Sequence, residues 1–145
     1  VTYPDFCVSA SINQYFIPVQ IDVDEQQELA ERFRVVWTPN INILDPDGNI
    51  FYHVEGWLPP SDYSAMLMTA HAHYFLHHKS FQKAQELFQT VWDKYPGSEY
   101  APEALYYLGV TRYKVSHKGE QLIDGWRTLQ RFHPESTWAI RSSVL

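Results

Sequence analysis

The chain has 145 residues, 45% of them hydrophobic, which is enough for one ordinary domain or two small ones with real cores and excludes a disordered segment. A formal net charge of -6 with only 11 basic residues excludes a surface dominated by phosphate contacts, because nucleic-acid affinity rests on Lys and Arg. The longest mostly apolar stretch, 65–76, carries His71 and His73 and falls short of the roughly 20 residues that a membrane span needs.

Asp5 to Phe16 places Val8, Ile12, Tyr15 and Phe16 at helical spacing after Pro4, so a short helix is expected there. Ile17 to Val23 is β-branched and apolar, with Pro18 only near its start, which predicts a buried strand. Asp24 is the expected cap of the next helix. Glu25 and Glu28 suit its first turn, Leu29, Ala30 and Phe33 form its inward stripe, and it ends near Arg34. Asn40 to Leu44 reads as a strand, Asp45-Pro46-Asp47-Gly48 as a tight turn, and Ile50 to Val54 as the antiparallel partner of a β-hairpin. Gly56 and Pro59-Pro60 stop the sheet, and Ser61 or Asp62 opens a long helix through His78.

From there to Leu145 the pattern is helical. Lys79-Ser80 breaks the first pair, Phe81 to Tyr95 follows, Pro96-Gly97-Ser98 makes a turn, and Ala101 to Val115 is the next helix. Gly119 separates it from a helix at Glu120 to Phe132, Pro134-Glu135-Ser136 repeats the turn, and Trp138 to Leu145 starts one more. The boundary between a mixed first half, residues 1–60, and a helical second half, residues 61–145, falls at the proline pair.

The second half contains an internal repeat. Residues 94–101, Lys94 to Ala101, and 132–139, Phe132 to Ala139, share Pro, Ser, an aromatic and Ala in register. A repeated hairpin of helices that each bury one face must stack into a superhelical array. Counted back from Pro96, the residues Ala72, Phe75, Ala84 and Phe88 fall on the small and aromatic packing positions of a frame of roughly 34 residues, and this unit resembles a tetratricopeptide repeat. A second, stretched unit resembles the same family through Leu108-Gly109, Tyr113, Trp126 and Pro134. Such arrays generally recognise peptides on their concave face, and the resemblance makes Tyr106, Arg112 and Tyr113 candidate contacts by helix position. The form in which Tyr-Pro-x-Ser precedes Tyr100-Ala101-Pro102-Glu103-Ala104-Leu105 resembles repeats of bacterial cell-envelope assembly proteins, which implies a bacterial origin.

The first half carries a second set of motifs in order. These are Thr2-Tyr3-Pro4-Asp5, the Phe-x-Pro-Val-x-x-Asp-Val-Asp-Glu segment at Phe16 to Glu25, Leu29 to Phe33, Val36-Trp37-Thr38-Pro39, Leu44-Asp45-x-Asp47-Gly48, and Gly56-x-Leu58-Pro59-Pro60. Together they resemble thioredoxin-like proteins over residues 1–63. The resemblance places Pro39 at the family's cis-proline, gives Thr38 a backbone that meets an extended substrate segment, and sets Trp37 beside that groove. It also implies a first strand and a dithiol helix before the Thr2-Tyr3 segment. Neither has a counterpart in these residues, and since the sequence starts at Val1 and not Met, an upstream segment is expected to supply them.

Thiol exchange needs an attacking thiolate and usually a resolving cysteine nearby. Cys7 is the only cysteine, lies too late for the family position, and reads as a small apolar helix residue, so no catalytic residue is assigned. A single cysteine also favours a reducing compartment, the cytoplasm, with the periplasm as the alternative if a leader was removed. His73 and His77 lie four apart, as metal-binding pairs do, but no third ligand is evident and they read as solvent-facing, like Glu86 and Asp93. Asp45, Asp47 and Gly48 suit a hairpin turn better than a calcium loop. No nucleophile triad or phosphate-cradling loop is present, and no metal or cofactor is expected.

The sequence therefore predicts an incomplete α/β thioredoxin-like domain followed by an all-α tetratricopeptide-like array. The expected function is a scaffold or adaptor binding a protein or peptide partner, without nucleic acid or a membrane span. The alternative is a thiol:disulfide oxidoreductase whose Cys-x-x-Cys lies upstream.

Overall fold

The computed structural model of the protein describes residues 4–144, so the expectations that rest on Thr2, Tyr3 and Leu145 lie outside the described residues. The chain divides into two units, Val1–Pro60 and Ser61–Leu145.

In the first unit, helix α1 spans Phe6–Tyr15. The Asp5 carboxylate accepts from the Cys7 and Val8 amides at 2.9 and 3.2 Å, so Asp5 does the capping that an acidic residue does at a helix start. Val8 and Ser11, one turn apart, are its buried residues. The strand expected at Ile17 to Val23 does not form. The segment is irregular, with Ile17 93% and Val19 77% exposed. The sheet has two strands, and no other strand among the described residues lends this segment a hydrogen-bonding ladder.

Helix α2, Gln27–Arg32, begins later than expected. The Asp22 carboxylate accepts from the Asp24 and Glu25 amides at 2.9 and 3.4 Å. This local turn occupies the residues predicted to start the helix, so Asp24 is not its cap. Leu29, Ala30 and Phe33 are half-buried. Strands β1, Asn40–Leu44, and β2, Ile50–Glu55, pair antiparallel, with Ile41 opposite Val54 and Ile43 opposite Tyr52 on one face. Asn40 stands opposite Glu55 and Asn42 opposite His53 on the other. The Asn40 amide donates to Glu55 at 3.0 Å and that of Asn42 to Asn40 at 2.7 Å, so the hairpin has one apolar and one polar face. At the turn, Asp45 Oδ1 accepts from the Asp47 and Asn49 amides, and Gly48 takes a φ of +83° that other residues avoid. The Asn49 amide is the main cause that holds the Asp45 carboxyl below its ordinary pKa.

The second unit is a stack of packed helices: α3 Pro60–His77, α4 Phe81–Lys94, α5 Ala101–Ser116, α6 Gly119–Phe132 and α7 Thr137–Arg141. Helix α3 starts at Pro60 itself, whose missing N–H is no loss in a first turn. Asp62, a candidate cap, instead accepts the Glu99 amide at 2.9 Å. Every residue from Tyr63 to Ala70 is buried, Ser64 and Thr69 included, so this stretch of the helix has no solvent-facing side. His117, with a φ of 58°, ends α5, and Gly119, expected as the separator, is already the first residue of α6. The last expected helix stops at Arg141 and tightens into a 3-10 turn over Ser142–Val144.

Helices α5 and α6 cross at two glycines. A Cβ on Gly125 would stand 2.7 Å from the Gly109 Cα, closer than real Cβ atoms come, so both positions need a bare backbone. Trp126 closes over this crossing, its indole N–H donating to the Tyr106 carbonyl at 3.1 Å and its ring stacking on Tyr106 at 4.8 Å. Across α3, α4 and α5, the rings of His73, Phe88 and Tyr107 meet at 4.5 to 5.6 Å. Ala72, Ala84 and Phe88 are fully buried and Phe75 is half-buried.

Candidate functional site

The end of α2 aims the chain outward. Arg34 takes a left-handed φ of 51°, its amide bonds the Glu31 carbonyl, and the Val35 amide reaches back to Ala30 at 2.9 Å. These two bonds satisfy the last carbonyls of the helix and turn the chain away from its axis. Val36 and Trp37 follow as exposed residues, Trp37 at 71%. Thr38 is exposed, and its backbone N–H and C=O make no hydrogen bond among the described residues. The Thr38–Pro39 peptide bond is cis.

Pro39 is half-buried, and its carbonyl accepts the Gly56 amide at 2.8 Å, which closes the open end of the hairpin. Gly56 has a φ of +93° and hands the chain to Trp57, which is 64% exposed. Trp37 therefore enters this end of the hairpin just before β1, and Trp57 leaves it just after β2. Two tryptophans with most of their surface in water flank one bared peptide unit. Trp57 was missed in the sequence as the variable residue of Gly56-x-Leu58; the signal was a large aromatic directly after a strand-ending glycine.

Residues 2–71 match the family model described as a thioredoxin-like domain. This stretch is a thioredoxin-like domain. The match runs beyond Pro60 into α3, so the first turns of that helix belong to it by sequence. Comparison with curated proteins and with solved structures gives no match.

Cys7 of the thioredoxin-like domain is exposed near the start of α1, and not a packed apolar residue as its sequence context suggested. It is the only cysteine of the chain, so these residues contain no pair that can close an internal disulfide.

The candidate contacts of the helical region do not share one surface. Tyr106 is half-buried between Trp126 and Trp138, at ring distances of 4.8 and 5.3 Å. Arg112 donates to Gln89 of α4 at 2.8 Å, whereas Tyr113, two turns after Tyr106 on α5, is 38% exposed. Arg112 is thereby held toward α4, and Tyr106 toward α6 and α7.

His73 corrects a sequence expectation. It is buried, not solvent-facing, and its Nε2 lies 2.7 Å from Glu103 Oε1 of α5. Helix periodicity alone could not show this, because the neighbour arrives from 30 residues along the chain. His77 and His78 are exposed, with His78 Nδ1 2.7 Å from the Tyr74 carbonyl. Among the described residues no group of three His, Cys, Asp or Glu side chains is placed to hold a metal ion. No helix among them is long and apolar enough to cross a membrane.

Proposed function

We propose that the protein is an adaptor whose thioredoxin-like domain binds an extended protein segment at Trp37, Thr38, Pro39 and Trp57, with the tetratricopeptide-like helical pairs that follow it in the sequence as a second binding scaffold. The observation that carries this reading is the exposure of Trp37 and Trp57 at one end of the hairpin beside a backbone unit that has no hydrogen-bond partner among the described residues. Large aromatic surfaces lose little conformational entropy on binding and dominate binding energy where they are buried by a partner. The free Thr38 amide and carbonyl suit strand-like pairing with an extended peptide. Tyr113, and Tyr106 by its outer edge, are the contacts proposed for the helical array, and a single cysteine suits a reducing compartment such as the cytoplasm. The source we favour is bacterial, on the repeat pattern.

The test is a scan of immobilised extended peptides with the 145-residue chain and with the Trp37→Ala and Trp57→Ala variants. Peptides retained by the parent should lose at least about tenfold in affinity with either variant. Retention that ignores both substitutions would refute the site.

A second reading, thiol:disulfide exchange, rests on the thioredoxin-like match. Within these residues it would run through a mixed disulfide on Cys7, with no resolving thiol in the chain. An insulin-reduction assay should show no turnover, and turnover lost in Cys7→Ser would favour this reading over the adaptor.

A further inference from the structure

The five tryptophans of the chain are of two kinds. Trp92, Trp126 and Trp138 of the helical unit each meet another aromatic ring, at 5.4, 4.8 and 5.3 Å, and Arg141 also lies over Trp138 at 4.5 Å. Trp37 and Trp57, at the open end of the hairpin, make no ring contact and no cation contact among the described residues. An indole face carries the negative side of the ring quadrupole and attracts a cation.

Charge is divided as unevenly. Residues 1–60 hold two basic against nine acidic residues, a formal charge of -7, whereas residues 61–145 hold nine against eight, a formal charge of +1. The unit with the bare tryptophans therefore carries all of the chain's net negative charge. A field of that sign repels phosphates and anionic lipid and draws in a basic partner.

One of the nine acidic residues stands at the site itself. Glu55 ends β2, two residues before Trp57, and lies opposite Asn40, the residue after Pro39. Its side chain is 44% exposed. The Asn40 amide donates to Glu55 Oε1, and His53 Nε2 stands 3.9 Å from the same oxygen, beyond hydrogen-bond distance. No Arg or Lys among the described residues pairs with this carboxylate. Arg32 donates to the Gly48 carbonyl at the turn, the opposite end of the hairpin, and Arg34 forms no ion pair among the described residues.

Two bare indole faces, a carboxylate with no Arg or Lys partner and a field of one sign all favour the same group, an ammonium or guanidinium. We infer that the extended segment bound at Trp37, Thr38, Pro39 and Trp57 is basic, with an Arg or Lys side chain set over an indole face and against Glu55. This rests on the extended-segment site proposed above and adds the chemistry of its ligand.

The probes are three synthetic peptides of one extended, proline-spaced sequence that differ at two positions, which hold Arg, Gln or Glu. Fluorescence anisotropy with the 145-residue chain should show the Arg peptide binding at least about tenfold tighter than the Gln peptide, with the Glu peptide weakest. Glu55→Gln keeps an acceptor for Asn40 and removes the charge, so it should cut the Arg preference by about threefold or more and leave the Gln peptide unchanged. Asp47→Ser removes the same charge at the exposed turn and should cut that preference by less than about 1.5-fold, because salt screens a charge so far along the hairpin. Trp57→Ala should weaken the Arg peptide by about tenfold or more. Far-ultraviolet circular dichroism checks that the variants remain folded. Equal affinity for the Arg and Gln peptides, both lost in Trp57→Ala, would overturn the basic preference while the binding site stands. An Arg preference that Glu55→Gln and Asp47→Ser reduce alike would overturn it too, by showing attraction to net charge alone. No binding of any peptide, or binding indifferent to Trp57→Ala, would overturn the site and the inference together.

Discussion

The segment Ile17 to Val23 and the crossing of α5 with α6 are both rich in apolar residues, yet only the second is packed. At the crossing, Gly109 and Gly125 let two backbones touch and Trp126 seals the gap. In the other segment, Ile17 and Val19 lie in water. A helix satisfies its own backbone within a few residues, so an apolar stripe needs only a neighbour to bury it. A strand needs a partner for its N–H and C=O groups before burial can stabilise it. The comparison teaches that an apolar pattern becomes structure only where the backbone's hydrogen bonds have somewhere to go.

The largest expected effect sharpens the packed side of that comparison. Gly125→Ala drives a methyl into the Gly109 backbone and should destabilise the protein by about 1–3 kcal/mol, despite the better helix propensity of alanine. Gly119→Ala, at a position with open space around it, is the control and should be neutral or slightly stabilising. Urea unfolding followed by circular dichroism measures both, and equal effects at the two glycines would break the account of the crossing.

A smaller effect comes from pH. Burial lowers the pKa values of His71 and His133 from their ordinary 6.5, and the His133 ring lies edge-on to Trp92 of α4 at 5.8 Å. As pH falls through the ordinary value, the unfolded chain takes up protons before the folded one. Stability from these two groups is therefore complete above about 6.5 and declines as pH drops toward their lowered folded values. The urea midpoint should fall between pH 7.5 and pH 5.5, and His133→Asn should flatten that dependence. A midpoint that rises on acidification would contradict the burial of these rings.

The smallest effect belongs to the exposed segment. Ile17→Ser with Val19→Ser should change stability by less than about 0.5 kcal/mol, as substitutions at open surface positions do. A loss of several times that would show the segment to be packed in solution and would erase the contrast with α6.

Much of the fold was legible in the sequence wherever the determining interactions are local. The β-hairpin follows from Asp45 and Gly48 in its turn, the helix at Phe6–Tyr15 from Asp5 before it, and the ends of α4 and α5 from the Pro-Gly-Ser turn and their periodicity. Of the candidate site, Trp37, Thr38 and Pro39 stood out as a motif, while Trp57 did not, because the two tryptophans are brought to one end of the hairpin by the pairing of Asn40 with Glu55 and by the Pro39–Gly56 hydrogen bond. Tyr106, Arg112 and Tyr113 were placed by helix position alone, and the packing turns Arg112 toward Gln89 and Tyr106 toward Trp126.

The sequence by itself determined the order of elements, the hairpin turn and the helical second half, because caps, turns and helical hydrogen bonds close within a few residues. Tertiary structure alone decided that Ile17 to Val23 stays out of the sheet, that His73 is buried against Glu103, and that Gly109 meets Gly125. Each of those outcomes depends on a partner that arrives from far along the chain or does not arrive, and no local pattern encodes that.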